Sequence, residues 1–173
     1  MQTSTEWTSF DLGHSKSDEL IRTTLDSIPL FENLSVRDWR HLAGLFHQRR
    51  FDDGEIVFEA GMPGLGMYII VAGTVRVLEK RGGEDIELTR LGSGDFFGEM
   101  SLIDEVPRSA TVISVGDTHL IGIFRPHLQE LMHRRPRLGV LLLERLASIL
   151  VKRLREANRL LAEPQVKSQD RAQ

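Results

Sequence analysis

Regular punctuation by turn residues is the strongest constraint on how this chain can fold. Between Phe51 and Phe124 it is cut at Asp53-Gly54, Pro63-Gly64, Gly82-Gly83, Gly92-Ser93-Gly94, Asp104 to Pro107 and Gly116-Asp117, mostly ten to twelve residues apart. The intervening pieces, notably Met67 to Leu78, Ile86 to Leu91, Ala110 to Val115 and His119 to Phe124, are rich in β-branched and aromatic residues. Short strands at this spacing predict an all-β sandwich, jelly roll or barrel.

The flanks carry a different period. Ser35-Val36-Arg37-Asp38 has the form of a capping box, and Trp39, Leu42, Ala43 and Phe46 follow at helical spacing, so an amphipathic helix is expected before the strands. After them, Arg125-Pro126 leads into a short helix over His127 to His133 that stops near Pro136. A longer helix is expected over 137–163, with Val140, Leu143, Ala147, Leu150, Leu154, Ala157 and Leu161 in alternating steps of three and four. Leu142, Leu146 and Ile149 form a second stripe on its first half. Two apolar faces call for two partners, the strand domain and a second copy of the helix, so a homodimer seam is expected along the first stripe. The other reading is one wide stripe that simply covers the core. The division expected is a folded body over 17–136, the helix over 137–163, and unconstrained ends at 1–16 and 164–173.

Composition removes several function classes. With 173 residues, 40% of them hydrophobic, the chain can bury one real core. It has no cysteine, which excludes disulfides, thiolate metal sites and a cysteine nucleophile. Apolar runs such as Ile69 to Ala72 and Leu138 to Leu143 are far shorter than a membrane span, and the first residues lack the pattern of a secretory signal, so a cytoplasmic protein with no membrane partner is expected. A net charge of -3 carries no global footprint for nucleic acid.

One stretch is more specific than the rest. Phe97-Gly98-Glu99-Met100-Ser101-Leu102, followed by Arg108-Ser109-Ala110-Thr111-Val112, resembles the phosphate-binding cassette of the cyclic nucleotide-binding domain family, shared by catabolite-activator-type regulators, kinase regulatory subunits and cyclic-nucleotide-gated channels. The resemblance runs over roughly residues 28 to 160: Ile28-Pro29-Leu30-Phe31 with Leu34 is similar to the family's entry helix region, Phe51 to Phe58 with Gly61 to its first strand pair, and Met67 to Val75 to the next strand. It implies an antiparallel jelly-roll or β-roll of about eight strands, mainly β with flanking helices (α+β), and a 3',5'-cyclic nucleotide as ligand, cAMP ahead of cGMP.

The residue chemistry suits such a ligand. A short helix starting at Gly98 would offer backbone N–H groups, those of Met100 and Ser101 among them, to a phosphate that the glycine lets close. Glu99 can accept from a ribose 2'-hydroxyl, Arg108 offers a planar fork to the phosphate, and Ser109 adds a hydroxyl and an N–H. In the other reading Glu99 and Arg108 are an ion pair that holds the turn together. The resemblance further implies Phe97 and Ala110 in the cassette, and Val77, Leu88 and Thr89 along the sugar and base, where they can equally be ordinary inward strand residues. The long helix is expected to cap the base, in one register with Arg153 and Leu154 and in another with Ala157 and Asn158.

No helix-turn-helix domain, kinase motif or channel segment accompanies the domain, so a stand-alone sensor acting on an unidentified protein effector, without DNA binding, is expected. A metal-dependent cupin-type enzyme would need a close His-x-His pair. The histidines stand at 14, 41, 47, 119, 127 and 133, and only His119, expected to be solvated, falls in a predicted strand. No nucleophile adjoins a base, so neither a catalytic residue nor a metal site is assigned. A third possibility is a nucleotide-independent dimeric platform whose working surface is the long helix.

Overall fold

The computed structural model describes residues 6–9 and 16–162. In chain order the elements are β1 (Thr8–Ser9), α1 (Lys16–Asp26), α2 (Val36–Leu42), β2 (Phe46–Phe51), β3 (Ile56–Phe58), β4 (Gly66–Arg81), β5 (Glu84–Gly92), β6 (Phe96–Phe97), β7 (Thr111–Phe124), α3 (Arg125–Arg134) and α4 (Pro136–Ala162). Short 3-10 turns at Ala43–Leu45 and Glu99–Leu102 complete them. All pairings are antiparallel, in the order β1-β2-β7-β4-β5, with β3 also on β7 and β6 on β4. This is the jelly-roll architecture with flanking helices that the punctuation and the resemblance imply.

β4 and β7 form the spine, paired from Gly66↔Phe124 to Leu78↔Thr111. Both faces of this ribbon are covered, which explains the unbroken apolar run in β4. Met67, Ile69 and Val71, with Ile121 and Ile123, face a core shared with Ile21, Leu25, Trp39, Leu128, Leu142 and Leu146 of the four helices. The alternate residues Tyr68, Ile70 and Val75 face the inside of the roll with Phe51, Phe97, Val112 and Leu120.

Seven strands are present because 110–115 and 119–124, expected as two, run on as one bent strand. Gly116 takes a left-handed φ of 65° without ending the ladder. The register shifts opposite it, at Ala72 and Gly73, where a Cβ on Gly73 would lie 2.6 Å from Asp117 O. The glycines bend the ribbon through paired bulges instead of breaking it.

Three expectations change at the ends. Segment 1–16 is not wholly unconstrained: Thr8–Ser9 pairs with β2, and the Trp7 ring stacks on Tyr68 at 5.4 Å and meets Phe51 and Phe124 edge-on. Residues 1–5 and 10–15 of that segment lie outside the described residues, as does the tail 164–173. Residues 28–34 are turns, and the helix that enters the domain is α1, whose inward Ile21, Thr24 and Leu25 have the readable spacing i, i+3, i+4, with Ile28 buried just past its end. Phe46 is not on the helix of Trp39, because α2 ends at Leu42 and Phe46 opens β2, its ring 6.1 Å from Trp39. The cap itself forms as expected, with Asp38 N donating to Ser35 Oγ at 3.1 Å.

α3 and α4 meet at a sharp corner. Arg135 leaves the helical region before Pro136, and a Cβ on Gly139 would come within 2.6 Å of Met132 Cγ, so the two helices pack closely there. Leu138, Leu142, Leu146 and Ile149 are buried against the roll. Within the first stripe Leu143 and Leu150 are half-buried, whereas Val140, Ala147, Leu154 and Ala157 are exposed together with Val151, and the Leu161 side chain lies outside the described residues. No helix among the described residues is long and apolar enough to cross a membrane.

His119 is buried in β7 instead of solvated, with Nε2 3.2 Å from Gln48 Oε1. Burial, aided by the nearby Arg50 charge, lowers its pKa to about 4.

Two outcomes are expected. Trp7→Ala should lower the unfolding free energy by about 2 kcal/mol in a urea titration, from lost ring contacts and burial; a loss below about 0.5 kcal/mol would mean that β1 does not dock in solution. The unfolded chain takes up the His119 proton near pH 6.5 and the folded chain only near pH 4. Between those values the unfolded state binds more protons, so stability falls as the pH falls. Thermal unfolding of His119→Gln should show a flatter decline across that window than the parent.

Candidate functional site

The 96–110 segment is built around one buried cation. β6 pairs with β4, and the chain then turns at Gly98, whose φ is 74°. A Cβ at Gly98 would lie 2.5 Å from Arg108 Nη1, and one at Gly64 2.0 Å from Ser101 Oγ. These two glycines leave the room that Arg108 and Ser101 occupy. The returning loop is pinned by Arg108 N donating to Met62 O and Gly61 N donating to Arg108 O, both at 2.8 Å.

Arg108 is 7% exposed. Nη1 donates to Ser101 Oγ at 2.9 Å and Gly98 O at 3.1 Å, and Nη2 to Gly66 O at 2.7 Å. The guanidinium carbon lies 4.1 Å from the centre of the Phe58 ring and 5.4 Å from that of Tyr68. Nε is enclosed and has no partner. Burial lowers the guanidinium pKa from its ordinary value, with Tyr68 and Glu99 acting in the opposite direction. No carboxylate is paired with it among the described residues.

Glu99, 3% exposed, is therefore not the partner of Arg108. Its Oε1 accepts from Arg153 Nη1 of α4 at 2.6 Å, and Arg153 Nη2 donates to Phe96 O at 3.0 Å. The Arg153 guanidinium also covers the Phe96 ring at 4.5 Å. The contact ties the long helix directly to the 98–102 turn.

Arg125, at the start of α3, holds the other side of the turn. It donates to Ser101 O at 2.8 Å, Gly64 O at 2.7 Å and Asp104 O at 3.0 Å, and pairs with Glu105 at 2.6 Å. Nothing in the sequence marks it, because its bonds go to carbonyls that are close only in the fold.

These groups open onto a pocket of about 760 Å³. Of the residues expected there, Phe97, Gly98, Glu99, Met100, Ser101, Arg108, Ser109, Ala110, Val77, Thr89 and Arg153 line it. Three do not. Leu88 sits at the bulge where the pairing passes from Val77↔Thr89 to Leu78↔Glu87, and it points outward at 49% exposure, while Leu91 takes the wall position. Ala157 and Asn158 are exposed about one turn past Arg153, and Leu154 is exposed beside it. Glu156, three residues after Arg153, joins the lining. The Ser101 N–H is also not available as expected, since it donates to Gly98 O at 3.2 Å; its hydroxyl meets Arg108 instead. No cluster of three or more His, Asp or Glu that could hold a metal lies among the described residues.

An open pocket with a buried, unneutralised guanidinium, a buried carboxylate and apolar walls suits an anionic ligand that also carries hydroxyl donors and a flat apolar part. Comparisons with known proteins agree. The chain is 37% identical over 131 residues, 75% of its length, to the cyclic AMP receptor protein of Thermus thermophilus, of which it spans 59%. The crystal structure of the Thermus thermophilus catabolite activator protein superposes with a TM-score of 0.68, covering 77% of this chain and 61% of that one. A cyclic nucleotide-binding domain from Methylobacillus flagellatus superposes with a TM-score of 0.73 at 29% identity, covering 84% and 83%. The sequence profile described as the cyclic nucleotide-binding domain matches residues 48–135, and by that match over half its length the chain belongs to the cyclic nucleotide-binding domain family.

Proposed function

We propose that this chain binds a 3',5'-cyclic nucleotide, cAMP ahead of cGMP, between the 98–110 turn and α4, and passes occupancy to a protein partner through α4 without catalysing a reaction. The observation that carries the proposal is Arg108. It is a buried cation with no ion-paired carboxylate among the described residues and a spare Nε donor, and an anionic ligand oxygen would supply a partner and the counter-charge. The cyclic phosphate is assigned to Arg108, Ser109 and the 98–101 backbone, the ribose to Glu99, and the base to the walls of Val77, Thr89 and Leu91 under Arg153. The preference for cAMP draws on relatives such as the cyclic AMP receptor protein and, at 36% identity over 106 residues, the cAMP-dependent protein kinase regulatory subunit of Mycosarcoma maydis.

The route from ligand to output runs through two arginines. Arg153 links Glu99 to α4, and Arg125 links the Ser101–Asp104 backbone to α3. A ligand that repositions the turn therefore changes the contacts of both helices and shifts their equilibrium by its differential affinity. The exposed Val140, Ala147, Val151 and Leu154 fall at steps of seven, four and three along one side of α4, which supports a homodimer through this helix. The same stripe would serve a ligand-independent platform, and Arg108 separates the two, because partner binding by a platform is indifferent to its loss.

At a hundredfold excess over the dissociation constant, cAMP should add about 2.7 kcal/mol, or about 5 to 10 °C in melting temperature. Arg108→Ala should weaken binding by about tenfold to over a hundredfold. Because Arg108 also braces the turn, Glu99→Gln, which preserves shape but weakens the ribose acceptor and the Arg153 contact, is the second variant. Equal melting temperatures with and without cAMP and cGMP in the parent protein would end the assignment. For the output, amide exchange over 125–160 should slow on saturation with cAMP. In Arg153→Ala the nucleotide should still bind while the protection over 145–160 is lost; retained protection would remove Arg153 from the route.

A further inference from the structure

A second open pocket, of about 330 Å³, lies between the α2 end of the molecule and α3, and it shares no residue with the first. Its polar lining is Arg40 and His41 from α2 and His127, Glu130, Arg134 and Arg135 from α3 and the corner after it. For a chain with net charge -3 this is a concentrated basic surface. Glu130 is paired with Arg134 at 2.8 Å, which leaves Arg40 and Arg135 as cations with no ion pair among the described residues. His127 is fixed by its neighbour, Nδ1 lying 3.0 Å from His47 Nε2 with the rings stacked at 4.7 Å.

One atom in this lining is unexplained by the protein alone. His41 Nε2 is enclosed and has no hydrogen-bond partner. Buried polar atoms are nearly always paired, and this orphan belongs to a residue that lines the same pocket as two guanidinium groups without an ion pair, where a ligand oxygen could complete the set.

We infer that this pocket is a second ligand site, for a small phosphate-bearing anion held by Arg40, Arg135 and His41. The volume suits inorganic phosphate or a small phosphate monoester and is well below what the first pocket offers. An occupant would bridge α2 to α3. Since α3 also packs against both the 43–45 and the 99–102 turns, the occupant would hold in place the helix that adjoins the nucleotide site. Binding at this site stands on its own; only its bearing on nucleotide signalling rests on the function proposed above.

The test is a titration of the intact chain with inorganic phosphate, and separately with glycerol 3-phosphate, at constant ionic strength in chloride, read by amide chemical shifts. Saturable shifts are expected at residues 40–45 and 127–135, separable from any shifts at 98–110 caused by phosphate at Arg108. Arg40→Ala with Arg135→Ala, both exposed positions, should weaken the first set by about tenfold or more and leave the 98–110 set unchanged. Amide exchange over 125–135 should slow in phosphate in the parent and not in the double variant. A tighter response to glycerol 3-phosphate identifies an ester as the ligand class, and a tighter response to free phosphate identifies the inorganic ion. No saturable shift at 40–45 and 127–135 with either probe, or shifts that survive the double substitution, would overturn the assignment.

Discussion

The burial of the Arg108 guanidinium is the constraint on which the rest of the site depends. Taking a cation out of water costs several kcal/mol unless hydrogen bonds and counter-charge compensate. Here three oxygens and two aromatic faces share that task, and no carboxylate among the described residues is ion-paired with it. Each neighbour follows from this need. Gly98 and Gly64 vacate space for the fork and for Ser101. Gly66 turns its carbonyl to Nη2 while its own Cα lies so close to β7 that a Cβ would be 2.1 Å from Ile123 O. Phe58 and Tyr68 are aromatic at positions where a merely apolar residue would have packed as well but would have offered no π face.

From that centre the two helices after the roll are reached by different physics. Arg125 uses carbonyls of the turn, so it senses backbone position; Arg153 uses the Glu99 carboxylate, so it senses the side chain assigned to the ribose. A rigid connection would need neither. Two arginines, one on each side of the corner at Arg135 and Gly139, instead tie α3 and α4 separately to the same turn.

Much of this was legible in the sequence for local reasons. The turn residues delimit the strands, Ser35 caps α2, Pro126 and Pro136 bracket α3, and the stripe through Leu142, Leu146 and Ile149 is the face that α4 buries. Where the sequence misled, a long-range contact had overruled a local signal. Gly116-Asp117 reads as a turn, yet its φ serves a bulge inside a strand that the β4 ladder keeps intact. Trp7 sits in a stretch with no periodicity and is ordered by three rings from β2, β4 and β7. The resemblance places Leu88 beside Thr89 along the sugar and base, and a bulge between Thr89 and Glu87 turns it outward. The contact of Arg153 could not be read from α4 alone, since its partner, Glu99, is 54 residues away in the chain.

The Glu99–Arg153 contact also bears on how the site would close. The carboxylate is 4% exposed and the guanidinium side chain 45%, so the pair is asymmetric: Glu99 depends on Arg153 far more than Arg153 depends on Glu99. A ribose hydroxyl can donate to Glu99, but it is neutral and cannot replace the cation's charge. Displacing Arg153 on binding would leave a buried carboxylate without a counter-charge, the outcome that costs most in a desolvated site. The less costly arrangement keeps Arg153 on one carboxylate oxygen and places the hydroxyl on the other, with the base against the α4 face beside them. In the function proposed above, that arrangement would keep Arg153 of α4 at the pocket with the base against the same helix.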